Sequence, residues 1–220
     1  MNSQLTFILS MSCCMPLIAY LFLYKRVDRL FHPLMLVFLL GFIAEVSTRL
    51  NRLYFHIPGY TYYFYTTATI IFLFFYFRFY RNIGLVKNRN LISAILLAYI
   101  FFIFFNWVVI YHKDGFFNFF SIIIVYAVII LFFSVELFSK QIFNKSRNII
   151  YNPFFWIGMA GIIFHIFFIY VSALILFKTS DGFFMNKVSD VQKLSNVFCY
   201  ILYTIAILCI PKTSNYIKSF

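Results

Sequence analysis

Residues 153–177 read PFFWIGMAGIIFHIFFIYVSALILF, a run without a single Lys, Arg, Asp or Glu. An α-helix rises 1.5 Å per residue, so this run exceeds the roughly 20 residues that cross about 30 Å of hydrocarbon. Six further runs of similar length and character surround it, at 5–24, 33–53, 60–80, 90–111, 116–138 and 188–210. They predict an all-α fold: a polytopic membrane protein whose seven transmembrane helices form one bundle, a single domain over residues 1–220. A β-barrel would need strands of about ten residues alternating apolar and polar positions. These runs are apolar all round, which excludes it.

Composition bounds the alternatives in the same direction. The chain is 64% hydrophobic and 11% charged, whereas soluble domains carry about 25% charged residues. A water-soluble globule is excluded, and no loop is long enough to fold a core of its own. Phe and Tyr dominate the 24% aromatic content; AT-rich coding and the favourable transfer of Phe to lipid account for that abundance. The net charge of +12 raises nucleic acid as a partner, but the bases are dispersed over short interhelical loops and form no stripe. Membrane lipids, through their anionic headgroups, are the expected partner of those loops, and nucleic acid is not.

The loops alternate in charge. Those after the first, third and fifth runs, with the C-terminus, hold 12 Lys and Arg, including Lys25, Arg29, Arg78, Lys87 and Lys140; the opposite side holds 6, including Arg49, Arg52 and Lys193. The positive-inside rule therefore predicts the N-terminus outside and the C-terminus in the cytoplasm. Residues 1–24 contain no Lys or Arg, so the first run reads as a span and not as a secretory signal. Pro16 within it is a candidate kink. Cys13 lacks a convincing lipoprotein box, and with Cys14, Cys199 and Cys209 reads as buried small filler.

Ionisable and amide groups inside hydrocarbon are costly unless paired or hydrated, so they are the functional pointers. Glu45 and Arg49 lie four residues apart on one face of the second helix, within reach of each other. Counted from Pro33 at the cytoplasmic side, Glu45 sits about 18 Å in, in the outer half of the membrane. Asn106 falls toward the outer end of the fourth helix, His165 near the middle of the sixth on a stripe with Gly158, Gly161 and Ser172, and Asn196, Tyr200 and Tyr203 share a face of the seventh. Together they predict an outward-opening polar cavity lined by Glu45, Arg49, Asn106, His165, Asn196 and Tyr200, the candidate ligand-binding residues. The rival reading is a set of interhelical hydrogen bonds that lock the bundle, worth about 0.6 kcal/mol each on average. Residues 60–65, rich in Tyr, read as an interfacial aromatic belt. Glu136, near the cytoplasmic end of the fifth helix, is expected to meet headgroup water or a loop base.

Enzyme and cofactor signatures are sparse. The two intramembrane carboxylates, Glu45 and Glu136, fall toward opposite faces, so no paired-carboxylate acid and base is expected. No HExxH, CxxC, GxSxG or phosphate-cradling glycine loop occurs. Lys193 lies at the edge of the seventh run, where a retinal Schiff base would want a central lysine. Secondary transporters show internal repeats and broken helices, and no repeat is evident. No catalytic residue, metal ligand or cofactor is therefore assigned.

Four stretches carry a family likeness: PLMLVFLLGFIAE at 33–45, YTTATIIFLFFY at 65–76, NPFFWIG at 152–158 and LSNVFCYILYTI at 194–205. Through them most of the chain resembles an uncharacterised family of small seven-helix membrane proteins of Bacteroidota, similar to detached sensor regions of seven-helix histidine kinases. The family pattern has an acidic residue in the third helix where this chain has residues 67–71, none of them acidic. The resemblance implies an association with two-component signalling and a location in the cytoplasmic membrane. With no output domain in the chain, the expected function is a receptor-like or sensory subunit. It would bind a small molecule or lipid from outside and signal through a separate protein partner on the cytoplasmic side. The alternatives are a membrane-embedded lipid-modifying enzyme using Glu45 and His165, and a non-catalytic structural subunit of a membrane complex.

Overall fold

A computed structural model describes residues 9, 11–57, 60–106, 108, 115–143, 149–177 and 182–210. These form seven α-helices: α1 Cys14–Leu23, α2 His32–Leu50, α3 Tyr60–Asn82, α4 Arg89–Phe105, α5 Gly115–Phe143, α6 Pro153–Leu176 and α7 Gly182–Cys209. The described residues contain no strand.

Local chemistry sets the helix ends. Asn88 caps α4 by accepting from Asn90 N and Leu91 N, and Asn152 caps α6 by accepting from Phe154 N at 3.0 Å. Each satisfies amides that the first helical turn leaves without partners. Pro153 then begins α6, where its missing N–H costs nothing. Gly84, with φ 74°, ends α3 in the left-handed region while Leu85 N bonds back to Tyr80 O. Pro16 lies in the first turn of α1, just after a 3₁₀ turn at Met11–Cys13. Its missing N–H falls in the first turn of the helix, where no intrahelical bond is lost.

Side-chain bonds across the bundle run antiparallel. Glu45 of α2 meets Tyr65 of α3, and Gln141 of α5 accepts from Asn152, at the start of α6, at 2.6 Å. Helix neighbours close a ring in the order α1, α2, α3, α5, α6, α7 and back to α1. The fourth helix stands outside the ring, packed on α3 and α5. It buries Ile92, Tyr99 and Ile103, while Leu97 and Phe101 are 67% and 69% exposed. Tyr99 latches it, donating to Thr69 Oγ1 at 2.8 Å. Apolar surface of that extent is tolerable only against lipid.

The chain is a helical membrane protein. Among the described residues four helical segments are long and apolar enough to cross a bilayer: Arg29–Phe55, Phe119–Phe143, Pro153–Leu176 and Asp190–Cys209. Met11–Leu23 and Arg89–Phe105 are shorter apolar helices. The third helix is not in either set, because Tyr, Thr and Arg replace aliphatic residues along much of Tyr60–Asn82. Several of these polar groups turn inward: Thr66, Thr69, Tyr76 and Tyr80 are buried. A hydropathy count penalises them, although they face protein.

The closest helix approach joins α5 and α6. A Cβ on Gly158 would stand 3.0 Å from the backbone nitrogen of Phe138, and one on Gly161 would collide with Ser134 Oγ. Ser134 Oγ in turn lies 3.2 Å from Tyr80 Oη, tying α3 into the same junction. Small residues at such contacts let backbones approach without interposed side chains.

Candidate functional site

Where α2 and α6 end and α3, α5 and α7 begin, the ring holds a cavity of about 380 Å³. Glu45, Arg49, Asn196 and Tyr200, four of the six candidate residues, line it together. Thr48, Arg52, Tyr65, Ser172, Gln192 and Lys193 also contribute to its walls. The spacing in sequence explains the convergence. Positions 45, 48, 49 and 52 repeat at three and four residues and so project from one face of α2. Positions 192, 193, 196 and 200 do the same on α7.

Among the described residues, this vestibule has three cations, Arg49, Arg52 and Lys193, around the single carboxylate of Glu45. Lys193 pairs with Asp190 at 3.2 Å. Glu45 takes its hydrogen bond from another helix, with Tyr65 Oη donating to Oε1 at 3.1 Å. Arg49 and Arg52 share the cavity wall with that carboxylate. Tyr65 thus belongs to the site and not to an interfacial belt. Its position five residues into a Tyr-rich stretch had hidden it among neighbours of the same type.

Beside the vestibule lies a second cavity, an inner chamber of about 150 Å³ that shares part of its wall with the first. Glu45, Tyr65, Asn196 and Tyr200 line both volumes and form the waist between them. Phe38, Phe72, Tyr76, Tyr126, Phe164 and Tyr203 supply most of the chamber's remaining wall. These rings support one another: Phe38 and Tyr203 meet edge-on at 4.8 Å between centroids, and Phe38 and Tyr200 at 6.2 Å. Of the chamber's rings, Tyr200 and Tyr203 were singled out from sequence by the face they share with Asn196; the others were not, because a chain so rich in Phe and Tyr gives no contrast between wall and filler.

The other two candidates lie elsewhere. His165 is 1% exposed and lines neither volume. Its Nδ1 donates to Gly161 O at 2.7 Å, which places the proton there because a carbonyl can only accept. Its Nε2 has no hydrogen-bond partner among the described residues. The ring packs against Tyr76, Tyr126 and Phe164, directly behind the chamber wall. Asn106 is buried at the end of the peripheral α4, donating to Phe102 O of its own helix at 2.8 Å. Its depth along the fourth run predicted a place on the cavity wall, and the ring leaves α4 out. Glu45 and His165 therefore do not share the cavity, and the acid–base pair that a lipid hydrolase or transferase would need is not assembled from them. Glu136 pairs with Lys140 at 2.9 Å, one turn on along α5 and away from the cavity.

No protein-family model, curated protein or solved structure matches the chain.

Proposed function

We propose that this chain is a receptor-like or sensory subunit of the cytoplasmic membrane. It takes a small molecule or lipid into an outward-facing cavity and passes the change to a separate protein partner on the cytoplasmic side. The observation that carries this reading is the convergence of Glu45, Arg49, Asn196 and Tyr200 on one cavity at one end of the bundle, sharing a wall with an aromatic chamber. A bundle locked only by interhelical hydrogen bonds has no need of such a space, since interiors otherwise close to organic-crystal density. In this reading all seven helices span the bilayer, and the excess of 12 over 6 basic residues holds the mouth of the cavity outside. The likeness to sensor regions of histidine kinases supports the same assignment, and the basic loops at the opposite end offer the surface for a partner.

The test is made on protein extracted from its own membranes. A density map of the wild type should hold non-protein density between Glu45 and Arg49, and native mass spectrometry should report the corresponding added mass. Glu45→Gln and Arg49→Ala, each inserted normally, should lose that mass. A closed cavity without density, or retention of the mass by both variants, would overturn the proposal and leave a structural subunit in its place.

A further inference from the structure

The charges along the cavity are ordered, and the order selects a ligand. Inside the waist, among the described residues, Glu45 is the one charged residue on the chamber wall, and nine of the residues lining it are aromatic. Outside the waist, Arg49, Arg52 and Lys193 line the vestibule and do not reach the chamber. An anion in the chamber would meet a carboxylate and electron-rich rings. A neutral apolar group there would leave the carboxylate of Glu45 and the amide of Asn196 to be desolvated without compensation. An organic ammonium is favoured by both features, by the carboxylate through its charge and by the rings through their quadrupoles.

We infer that the ligand is a small zwitterion that binds ammonium-first, its cation in the aromatic chamber against Glu45 and its anionic group in the vestibule against Arg49 and Arg52. This deepens the receptor reading and rests on it. Size agrees with the assignment. An engineered cavity of about 150 Å³ accepts one benzene ring, so a chamber of about 150 Å³ holds a trimethylammonium or a short alkylammonium group and not an acyl chain. Spacing agrees as well. Arg49 lies one helical turn, about 6 Å, outward from Glu45 along α2, and Arg52 about 10 Å, which suits a cation and an anion joined by a short linker. Tyr65 holds Oε1 of Glu45, and the second carboxylate oxygen completes the ammonium site. The same chemistry is offered by a free zwitterion arriving from water and by the headgroup of a zwitterionic phospholipid.

The full-length protein in maltoside detergent is titrated with phosphocholine, phosphoethanolamine, choline and inorganic phosphate, with binding followed by calorimetry. One or both zwitterions should bind at least tenfold more tightly than choline, and choline more tightly than phosphate. Glu45→Gln should weaken the zwitterion and choline alike by tenfold or more. Arg49→Ala should bring the zwitterion down to the level of choline and leave choline unchanged. Phe72→Leu, which keeps an apolar side chain and removes the ring, should weaken choline several-fold and serves if Glu45→Gln fails to fold. Repeating the titration in nanodiscs separates the sources: phosphatidylcholine discs that suppress phosphocholine binding, where phosphatidylglycerol discs do not, identify the lipid headgroup. Equal binding in both identifies the free zwitterion.

Phosphate binding as tightly as the zwitterions, or no zwitterion binding while non-protein density fills the cavity, overturns the zwitterion assignment and leaves the receptor reading standing. A cavity closed and dry in the map removes both.

Discussion

At the scale of single residues the bond between Tyr65 and Glu45 is the most exposed to test, because it joins two helices across the bundle. Interhelical hydrogen bonds in membranes average about 0.6 kcal/mol and reach about 1.7, and a charged acceptor belongs at the upper end. Tyr65→Phe is expected to lower stability by about 1–2 kcal/mol, read as a fall in thermal midpoint in detergent. The double variant with Glu45→Ala should lose less than the two singles together, since both remove one interaction; strict additivity would mean the bond contributes nothing. His165 predicts the opposite behaviour. Its Nδ1 bond goes to a carbonyl of its own helix, and its buried Nε2 has no partner among the described residues, so His165→Phe should leave the thermal midpoint nearly unchanged and binding within about twofold. A loss of binding above tenfold, about 1.4 kcal/mol, would place the imidazole at the ligand after all. Glu45 was legible as a costly intramembrane charge, but its partner was not, because spacing along α2 pointed to Arg49 and tertiary packing supplied Tyr65.

Among the elements, α6 presses against α5 through glycines and α2 carries a glycine into the cavity, and the two kinds of glycine respond differently to a methyl group. Gly158→Ala brings Cβ to 3.0 Å from a backbone nitrogen and 3.1 Å from a backbone Cα of α5. Backbone cannot move aside as a side-chain tip can, so a loss of about 1–3 kcal/mol is expected, measured as a lower midpoint. At Gly41 nothing lies within 4 Å of an added Cβ, and the position lines the inner chamber. Gly41→Ala should therefore raise stability by about 0.5–1 kcal/mol through helix propensity, while Gly41→Leu should fold and weaken ligand binding at least tenfold by filling the chamber. Equal binding by Gly41→Leu and wild type would place the ligand elsewhere. The Gly158 and Gly161 stripe was visible in the sequence, but a stripe of small residues on a helix that is apolar all round does not say whether it meets a cavity or a neighbouring helix. Here it meets α5.

For the molecule as a whole, orientation is the property that connects the cavity to a side of the membrane. With the C-terminus in the cytoplasm, green fluorescent protein fused there should fluoresce. Alkaline phosphatase fused after Ile57 should be active and after Lys87 inactive, as the charge count requires; the reverse pattern would turn the cavity inward. The membrane address, the helical class and the approximate helix positions were set by the sequence alone, because hydrocarbon demands internal backbone hydrogen bonding and long apolar runs, and both are local properties. The outer clustering of Glu45, Arg49, Asn196 and Tyr200 also followed from position along each run. Only the tertiary structure decided that α4 stands outside the ring, so that Asn106 serves its own helix, and that His165 backs the chamber wall without lining it. In a helix apolar on every side no stripe marks the inward face, so neighbour choice and helix rotation rest on packing between distant segments. The same packing, and no spacing within one run, placed a carboxylate at the waist between a cationic vestibule and an aromatic chamber.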